Sequence, residues 1–257
     1  MASDLDADQR TRYDRNLRLA QVGEAGQRRL LDGRVVVVGA GGLGSAAILY
    51  LAAAGVGRLT IIEPDRLDPS NLNRQILHRA ADVGRPKAAS AERAVRALNP
   101  DCRVETVADP VTVDNAPHLL SGADLVLDCT DNFPTRFVVA DACWRQGRPL
   151  VSAAVLRFEG QLLSVIPAEA SPCYRCLLPE PPGDEVPTAA EVGILGAVAG
   201  VLGTLQAVEA VKILLAAGEN MAHRLGVYDG LAGTYRTIRR RRDPACRFCG
   251  GAPNGGG

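Results

Sequence analysis

The amino-acid sequence predicts an α/β fold: a doubly wound, mostly parallel sheet with an antiparallel extension. Three observations carry that expectation. Arg34–Val38 (RVVVV) is a short β-branched run, of the kind that fills a strand buried on both faces. It leads directly into Gly39–Gly44 (GAGGLG) and a helix of small residues, Ser45–Ala54, making a compact strand–turn–helix unit. Strand-like and helix-like segments then keep alternating, which implies parallel strands joined by right-handed crossovers.

Residues 1–32 read as a polar, helical N-terminal arm. Residues 33–168 read as the α/β core. Gly55-Val-Gly57 stops the first core helix, and Leu59–Ile62 is the next strand, ending in Glu63. Lys87–Leu98 is a helix, with Pro86 near its first turn and Asn99-Pro100 after its end. Arg103–Val107 and Leu125–Leu127 are strands with a weak helical segment between them, and Phe137–Arg145 is helical. Leu150–Ala154 and Gln161–Ile166 are strands, with Glu159-Gly160 expected to turn between them. Residues 169–250 belong to the same domain. From Pro167 to Pro187 the chain turns to proline, glycine and acid, a loop composition. A long apolar helix over Gly193–Ala217 follows, then strands around Gly226–Tyr228 and Thr234–Ile238. Residues 251–257 read as a flexible tail.

Lys+Arg and Asp+Glu are equal at 29 each, which leaves no electrostatic footprint for general nucleic-acid binding. Only Lys87 and Lys212 are lysines, so the placement of each is informative. The polar N-terminus argues against a secretory leader. The 193–217 helix is the best membrane candidate, but Gln206, Glu209 and Lys212 interrupt it, and charges inside a bilayer are costly. A buried core or dimer helix is the better reading, with no membrane association and a cytoplasmic location expected.

Gly39, Gly41 and Gly44 form a Gly-x-Gly-x-x-Gly turn between a strand and a helix, with Gly42 inside it. Glycines let the backbone approach a phosphate, and the helix N-terminus presents free N–H groups to the anion. Glu63 lies at the end of the next strand, where an acid accepts from ribose hydroxyls. This combination predicts a nucleotide site without choosing ATP over NAD.

Further segments narrow the choice. RYDRN (Arg12–Asn16), GAGGLG (Gly39–Gly44), SNLNRQ (Ser70–Gln75), GRPKA (Gly84–Ala88), LDCTDN (Leu127–Asn132), CYRC (Cys173–Cys176) and CRFC (Cys246–Cys249) occur in that order over nearly the whole chain. In them the sequence resembles the MoeB/ThiF/HesA family, bacterial relatives of ubiquitin-activating enzymes. The resemblance implies a Rossmann-like fold that binds ATP and adenylates the C-terminal carboxylate of a small ubiquitin-like carrier ending in Gly-Gly. It implies nucleotide contacts from Ser70, Asn71, Arg74 and Lys87, and Asp131, followed by Asn132, near Mg²⁺ and the α-phosphate. It also implies that Arg15 reaches the ATP of the neighbouring subunit in a homodimer. The local chemistry is compatible: Arg74 can fork onto phosphate oxygens and Lys87 can act as a point charge. Read without the family, Arg15 is a surface charge, Asp131 a helix cap, and Asp128 structural.

Cys173-x-x-Cys176 and Cys246-x-x-Cys249 are two turns that together can complete a tetrahedral, closed zinc site. Such a site staples the C-terminal part to the loop before the long helix. Cys102, Cys129 and Cys143 read as core residues. Several members of the resembled family carry a further cysteine in the loop after CYRC. Here that position falls at Ala189, and no cysteine lies between Cys176 and Cys246. Covalent chemistry from this loop is therefore not expected, and sulfur is expected from a separate persulfide donor protein. The product implied is a carrier thiocarboxylate for molybdopterin, thiamin or another sulfur-containing metabolite. Two other readings stay open: an NAD(P)-dependent oxidoreductase using the same glycine turn, and a non-catalytic carrier-binding scaffold.

Overall fold

The computed structural model describes residues 4–183, 186 and 189–250. The tail expected over residues 251–257 lies outside the described residues. The N-terminal arm is helical, as three short helices: α1 (Ala7–Arg12), α2 (Asp14–Leu17) and α3 (Gly23–Asp32). Asp6 starts the first by accepting from the Gln9 N–H at 2.8 Å in a capping box. Gly23, at φ +54°, makes the bend into the third.

Eight strands form one sheet: β1 (Arg34–Val38), β2 (Arg58–Ile62), β3 (Arg103–Val107), β4 (Leu125–Asp128), β5 (Leu150–Leu156), β6 (Glu159–Val165), β7 (Arg224–Asp229) and β8 (Thr234–Arg239). Their order is β3-β2-β1-β4-β5-β6-β7-β8. The first five pair in parallel and the last three add antiparallel. The doubly wound sheet with an antiparallel extension is therefore the observed fold. The chain winds outward from β1 through β2 to β3, then crosses back to place β4 on the other side of β1. That reversal leaves a crevice beyond the carboxyl ends of β1 and β4, where ligands of open α/β sheets bind.

Alternate strand residues feed two cores, one per sheet face. Val35, Val37, Leu59 and Ile61 pack with α4 (Gly42–Ala54), α5 (Lys87–Leu98) and α9 (Gly196–Leu215). Val36, Val38, Ile62 and Val126 face the opposite way, towards α7 (Phe133–Arg145) and the small α6 (Ala116–Leu119). A four-residue α8 (Ala189–Val192) precedes α9.

The β5–β6 hairpin differs from expectation. Leu156 pairs with Glu159, so the turn is Arg157-Phe158, with Arg157 at φ +53°. Gly160 is a strand residue, and it is glycine because a β-carbon there would run into Leu202 of α9.

By length and composition α9 could cross a membrane, but half of its apolar window is buried in the protein. It is shorter than the 193–217 expected, because Ala216 turns left-handed at φ +50°. Its polar residues have buried partners. Gln206 Nε2 donates to the Asp128 carbonyl at 2.8 Å, and Glu209 Oε1 accepts from Ser164 Oγ at 2.8 Å. Gly203 allows the closest approach to α4, since a β-carbon there would strike the Leu43 carbonyl oxygen and lie 3.1 Å from Ala46 Cβ. Gly203→Ala is expected to lower unfolding stability by about 1–3 kcal/mol in chemical denaturation, because backbone cannot yield as a side chain can.

Candidate active site

The crevice is built from the turn after β1. Gly39 sits at φ +96°, and a β-carbon there would lie 2.8 Å from the Cys129 carbonyl oxygen at the end of β4. A β-carbon at Gly44 would strike the Gly39 carbonyl. Both glycines are thus required by close backbone packing as well as by any ligand. Gly41 is the N-cap of α4 and Gly42 its first residue, so the first free N–H groups of a 13-residue helix open into this end of the sheet.

Glu63 is buried, and its two carboxylate oxygens accept from the backbone, Ala40 N–H at 2.8 Å and Asp65 N–H at 3.0 Å. Burial raises its pKa against those two bonds. Glu63 thus braces the glycine turn, a role its spacing did not announce. Lys87 opens α5 behind Pro86 and is 6% exposed. Its Nζ lies 3.1 Å from Asp65 Oδ2, which supplies the counter-charge for a buried ammonium.

The segment between β2 and α5 carries the other expected nucleotide contacts. The Arg74 stem lies over the glycine turn, 3.6 Å from where a Gly42 β-carbon would stand. Its head donates to the Ser70 carbonyl at 3.0 Å and to Asn73 Oδ1 at 3.1 Å. Ser70 and Asn71 both engage Asp68: Ser70 Oγ donates to its Oδ1 at 2.6 Å, and Asn71 Oδ1 accepts from its N–H at 3.2 Å. The Ser70 hydroxyl and N–H hold the Asp68 carboxyl below its usual range.

Asp131 is exposed just past β4. The cap of α7 is Asn132, whose Oδ1 accepts from the Thr135 N–H at 2.9 Å, so Asp131 is free of that duty. Asp128 is fully buried. It accepts from Thr130 Oγ1 and Ser152 Oγ, each at 2.6 Å, and pairs with Arg136 at 3.1 Å.

Arg15 is not brought to this crevice. It lies on α2 with an 86% exposed side chain, beside Asn16, which donates to the Ala54 carbonyl at the far end of α4. Gly42 and Ala54 bound that helix, and at 1.5 Å per residue they are about 18 Å apart.

Three residues at the turn escaped sequence reasoning as individuals. Asp65 stands two positions past Glu63. Gln75 is 5% exposed, its amide nitrogen is 3.7 Å from a Gly41 β-carbon position, and its Oε1 has no partner among the described residues. His78 lies 3.0 Å from the Ala40 carbonyl. Gln75 closes the SNLNRQ segment, which was the one available signal.

At the other end of the molecule, Cys173, Cys176, Cys246 and Cys249 bring their sulfurs within 4.8 Å of one another. Neighbouring Sγ atoms are 3.7, 3.7 and 3.3 Å apart. Four thiolates around an ion at 2.3 Å need an edge of about 3.8 Å, so the set can hold a tetrahedral metal. Burial raises the Cys173 thiol, whereas the Cys249 and Phe248 N–H groups outweigh burial at Cys246 and bring it down to about 7. The buried Arg240 ties this centre to the sheet, donating to the Ser164, Pro172 and Cys173 carbonyls.

A Gly-rich turn at the switch point of the sheet and a four-cysteine centre at its other end define a Rossmann-like α/β protein with a candidate nucleotide site. The ThiF family model matches residues 13–248, and the chain belongs to the ThiF family. It is 48% identical over 251 residues to the SAMP-activating enzyme E1 of Haloferax volcanii, covering 97% of this chain and 92% of that one. It is 47% identical over 247 residues to the sulfur carrier protein adenylyltransferase of Thermus thermophilus, covering 94% and 91%. The mouse adenylyltransferase and sulfurtransferase MOCS3 is 49% identical over 253 residues, but this chain spans only 54% of its length. Among solved structures, E. coli MccB with ATP shares the fold at a TM-score of 0.81 and 22% identity, over 93% of this chain and 74% of that one.

Cys102, Cys129 and Cys143 are core residues. Burial pushes the Cys102 thiol up to about 12 and raises the other two still further. Native alkylation at about pH 8 is expected to leave all three unlabelled, with labelling only after unfolding, as read by peptide mass spectrometry.

Proposed function

We propose that this chain is a sulfur-carrier adenylyltransferase, which uses ATP to adenylate the C-terminal glycine carboxylate of a small ubiquitin-like carrier. One arrangement supports the reading: the Arg74 stem lies over Gly42 at the α4 N-terminus, and the buried Lys87 pairs with Asp65, whose N–H is held by Glu63, the brace of the same turn. Two relatives that are nearly half identical over more than nine-tenths of both chains bear names for carrier activation, and this supports the reading.

The carrier carboxylate attacks the α-phosphorus. A P–O bond forms, the bond from that phosphorus to the bridging oxygen breaks, and pyrophosphate leaves. The loop N–H groups, Arg74 and Lys87 offset phosphate charge as it shifts in the transition state. Bound Mg²⁺ supplies further charge neutralisation, and Asp131, an exposed carboxylate past the β4 end, is the residue to hold it. Positioning and electrostatics account for the rate, because the chemistry asks for no nucleophile from the protein. The terminal sulfur of a persulfide on a separate donor protein then displaces AMP, giving a carrier–donor acyl disulfide. A second thiol reduces that bond, frees the thiocarboxylate and ends as a disulfide with the donor. Ala189 at the loop position and the lack of any cysteine from residue 177 to residue 245 support a separate donor. The product is a carrier thiocarboxylate made in the cytoplasm.

The working form is a homodimer. The family resemblance has Arg15 reach the site of a partner copy, and its distance from its own crevice supports that reading. Val201 and Val208 of α9 and Tyr50 of α4 are exposed apolar residues on packed neighbouring helices, a face suited to a second copy. The cysteine centre holds one structural zinc.

ATP–pyrophosphate exchange is expected only with a Gly-Gly-ended carrier and Mg²⁺, and Lys87→Ala should lower it on the order of a hundredfold or more. Arg15→Ala should be similarly impaired. Mixing the two inactive variants through an unfolding–refolding step should restore about a quarter of wild-type activity, since half the dimers are mixed and each has one intact site. No exchange with any carrier, or no recovery on mixing, would defeat the respective claim. Cys249→Ser is expected to lose the bound zinc in native mass spectrometry and to lower the melting midpoint by about 5–10 °C.

A further inference from the structure

A chain of buried hydrogen bonds runs beneath the nucleotide turn, and the adenylation chemistry leaves it without a role. His78 Nε2 lies 3.0 Å from the Ala40 carbonyl oxygen, and Nδ1 lies 3.0 Å from Ser90 Oγ. Ser90 Oγ is 2.9 Å from Asp82 Oδ2. Asp82 in turn pairs with Arg93 and, at 3.8 Å, with Arg85. His78, Ser90 and Asp82 are 3%, 2% and 8% exposed, so each link must be satisfied within the chain itself.

Counting protons along this chain gives a definite result. The Ala40 carbonyl only accepts, so Nε2 must carry a hydrogen. Asp82 only accepts as well. Burial opposes its charge, but the Ser90 hydroxyl and the Arg93 guanidinium outweigh burial and hold its carboxyl below the usual range. Ser90 has one hydroxyl proton and stands between two groups. With a neutral ring, Nδ1 and Asp82 compete for that proton, and one of them faces a lone pair. With a doubly protonated ring, Nδ1–H donates to Ser90, Ser90 donates to Asp82, and every link is made.

The far end of this chain is the nucleotide turn. The Ala40 N–H is held by Glu63 and its carbonyl by His78. In a trans peptide the carbonyl and the next N–H lie in one plane and point in opposite directions. The bond to His78 therefore sets the direction of the Gly41 N–H, at the N-cap of α4.

We propose that His78 is a positioning residue for the nucleotide turn, and that ATP binding draws a second proton onto its ring, completing the Ala40–His78–Ser90–Asp82 chain and fixing the Gly41 N–H for the phosphates. The proposal rests on the turn being the ATP site. Burial and the Lys87 ammonium at the start of α5 disfavour the imidazolium, whereas the Ala40 carbonyl and Asp82 favour it, and the balance lies below the usual histidine value. The free chain thus holds that proton weakly near neutrality, and the phosphates add the negative charge that retains it. The sign follows: ATP affinity is greatest where His78 is protonated and declines as pH rises through its titration.

The test is calorimetry of ATP binding to the full chain from about pH 6 to about pH 8, in buffers of different ionisation enthalpy. His78→Gln offers an amide N–H to Ala40 and an acceptor to Ser90 but cannot titrate. It should bind ATP within a few-fold of wild type at the alkaline end, without the extra proton uptake and without about a tenfold part of the wild-type pH dependence. His78→Ala should bind about tenfold more weakly than His78→Gln throughout, the loss expected for one buried hydrogen bond. Titration of ATP itself is common to all the proteins and cancels in the comparison. Equal proton uptake and equal pH dependence in wild type and His78→Gln would overturn the proposal while leaving the ATP site intact. Failure of the wild-type chain to bind ATP would overturn both.

Discussion

Much of this molecule depends on the contact between the turn after β1 and the end of β4. Gly39 lies against the Cys129 carbonyl so closely that no β-carbon fits, and Gly44 packs on Gly39 in the same way. The contact fixes where α4 begins, and so where its free N–H groups point. Glu63 from the end of β2 and His78 from the following segment hold the one alanine of the turn by its N–H and its carbonyl. The site is rigid because backbone, a carboxylate and an imidazole meet in a space with no room for alternatives.

The long helix α9 joins this turn to the cysteine centre. Gln206 donates to the Asp128 carbonyl beside the crevice, and one turn further Glu209 takes the Ser164 hydroxyl. The Ser164 carbonyl receives Arg240, which also binds the carbonyls of Pro172 and Cys173. Two sets of buried polar contacts, joined through the α9 backbone between Gln206 and Glu209, therefore lie between the crevice end and the four sulfurs. Gln206 and Glu209 make α9 a core helix despite its apolar composition, because both are buried and find hydrogen-bond partners on this sheet.

Elements with strong local signals were legible. The bounds of β1, α5 and β3 agree with the sequence reading, since a β-branched run between glycines, or a proline start with an Asn-Pro stop, is recognised by the chain within a few residues. The β5–β6 turn was misplaced for the complementary reason. Gly160 has the composition of a turn, but it is glycine because Leu202, more than forty positions away, occupies the space its side chain would fill. The arm, read as helical, consists of three short helices, with Tyr13 and Asn16 held against the far end of α4 and neighbouring Asn99.

By itself the sequence determined the class of sheet, the place of the glycine turn between β1 and α4, and the pairing of two Cys-x-x-Cys turns. These follow from periodicity, from backbone freedom at glycine and from residue types at short spacing. Tertiary structure alone decided the partners. It made Glu63 a brace, gave the α7 cap to Asn132 rather than Asp131, set Asp65 on Lys87, and left Arg15 at the wrong end of its own α4. It also assembled His78, Ser90 and Asp82 into one line. A hydrogen bond needs two groups within about 3 Å, and only the packed fold fixes which distant residues meet that distance.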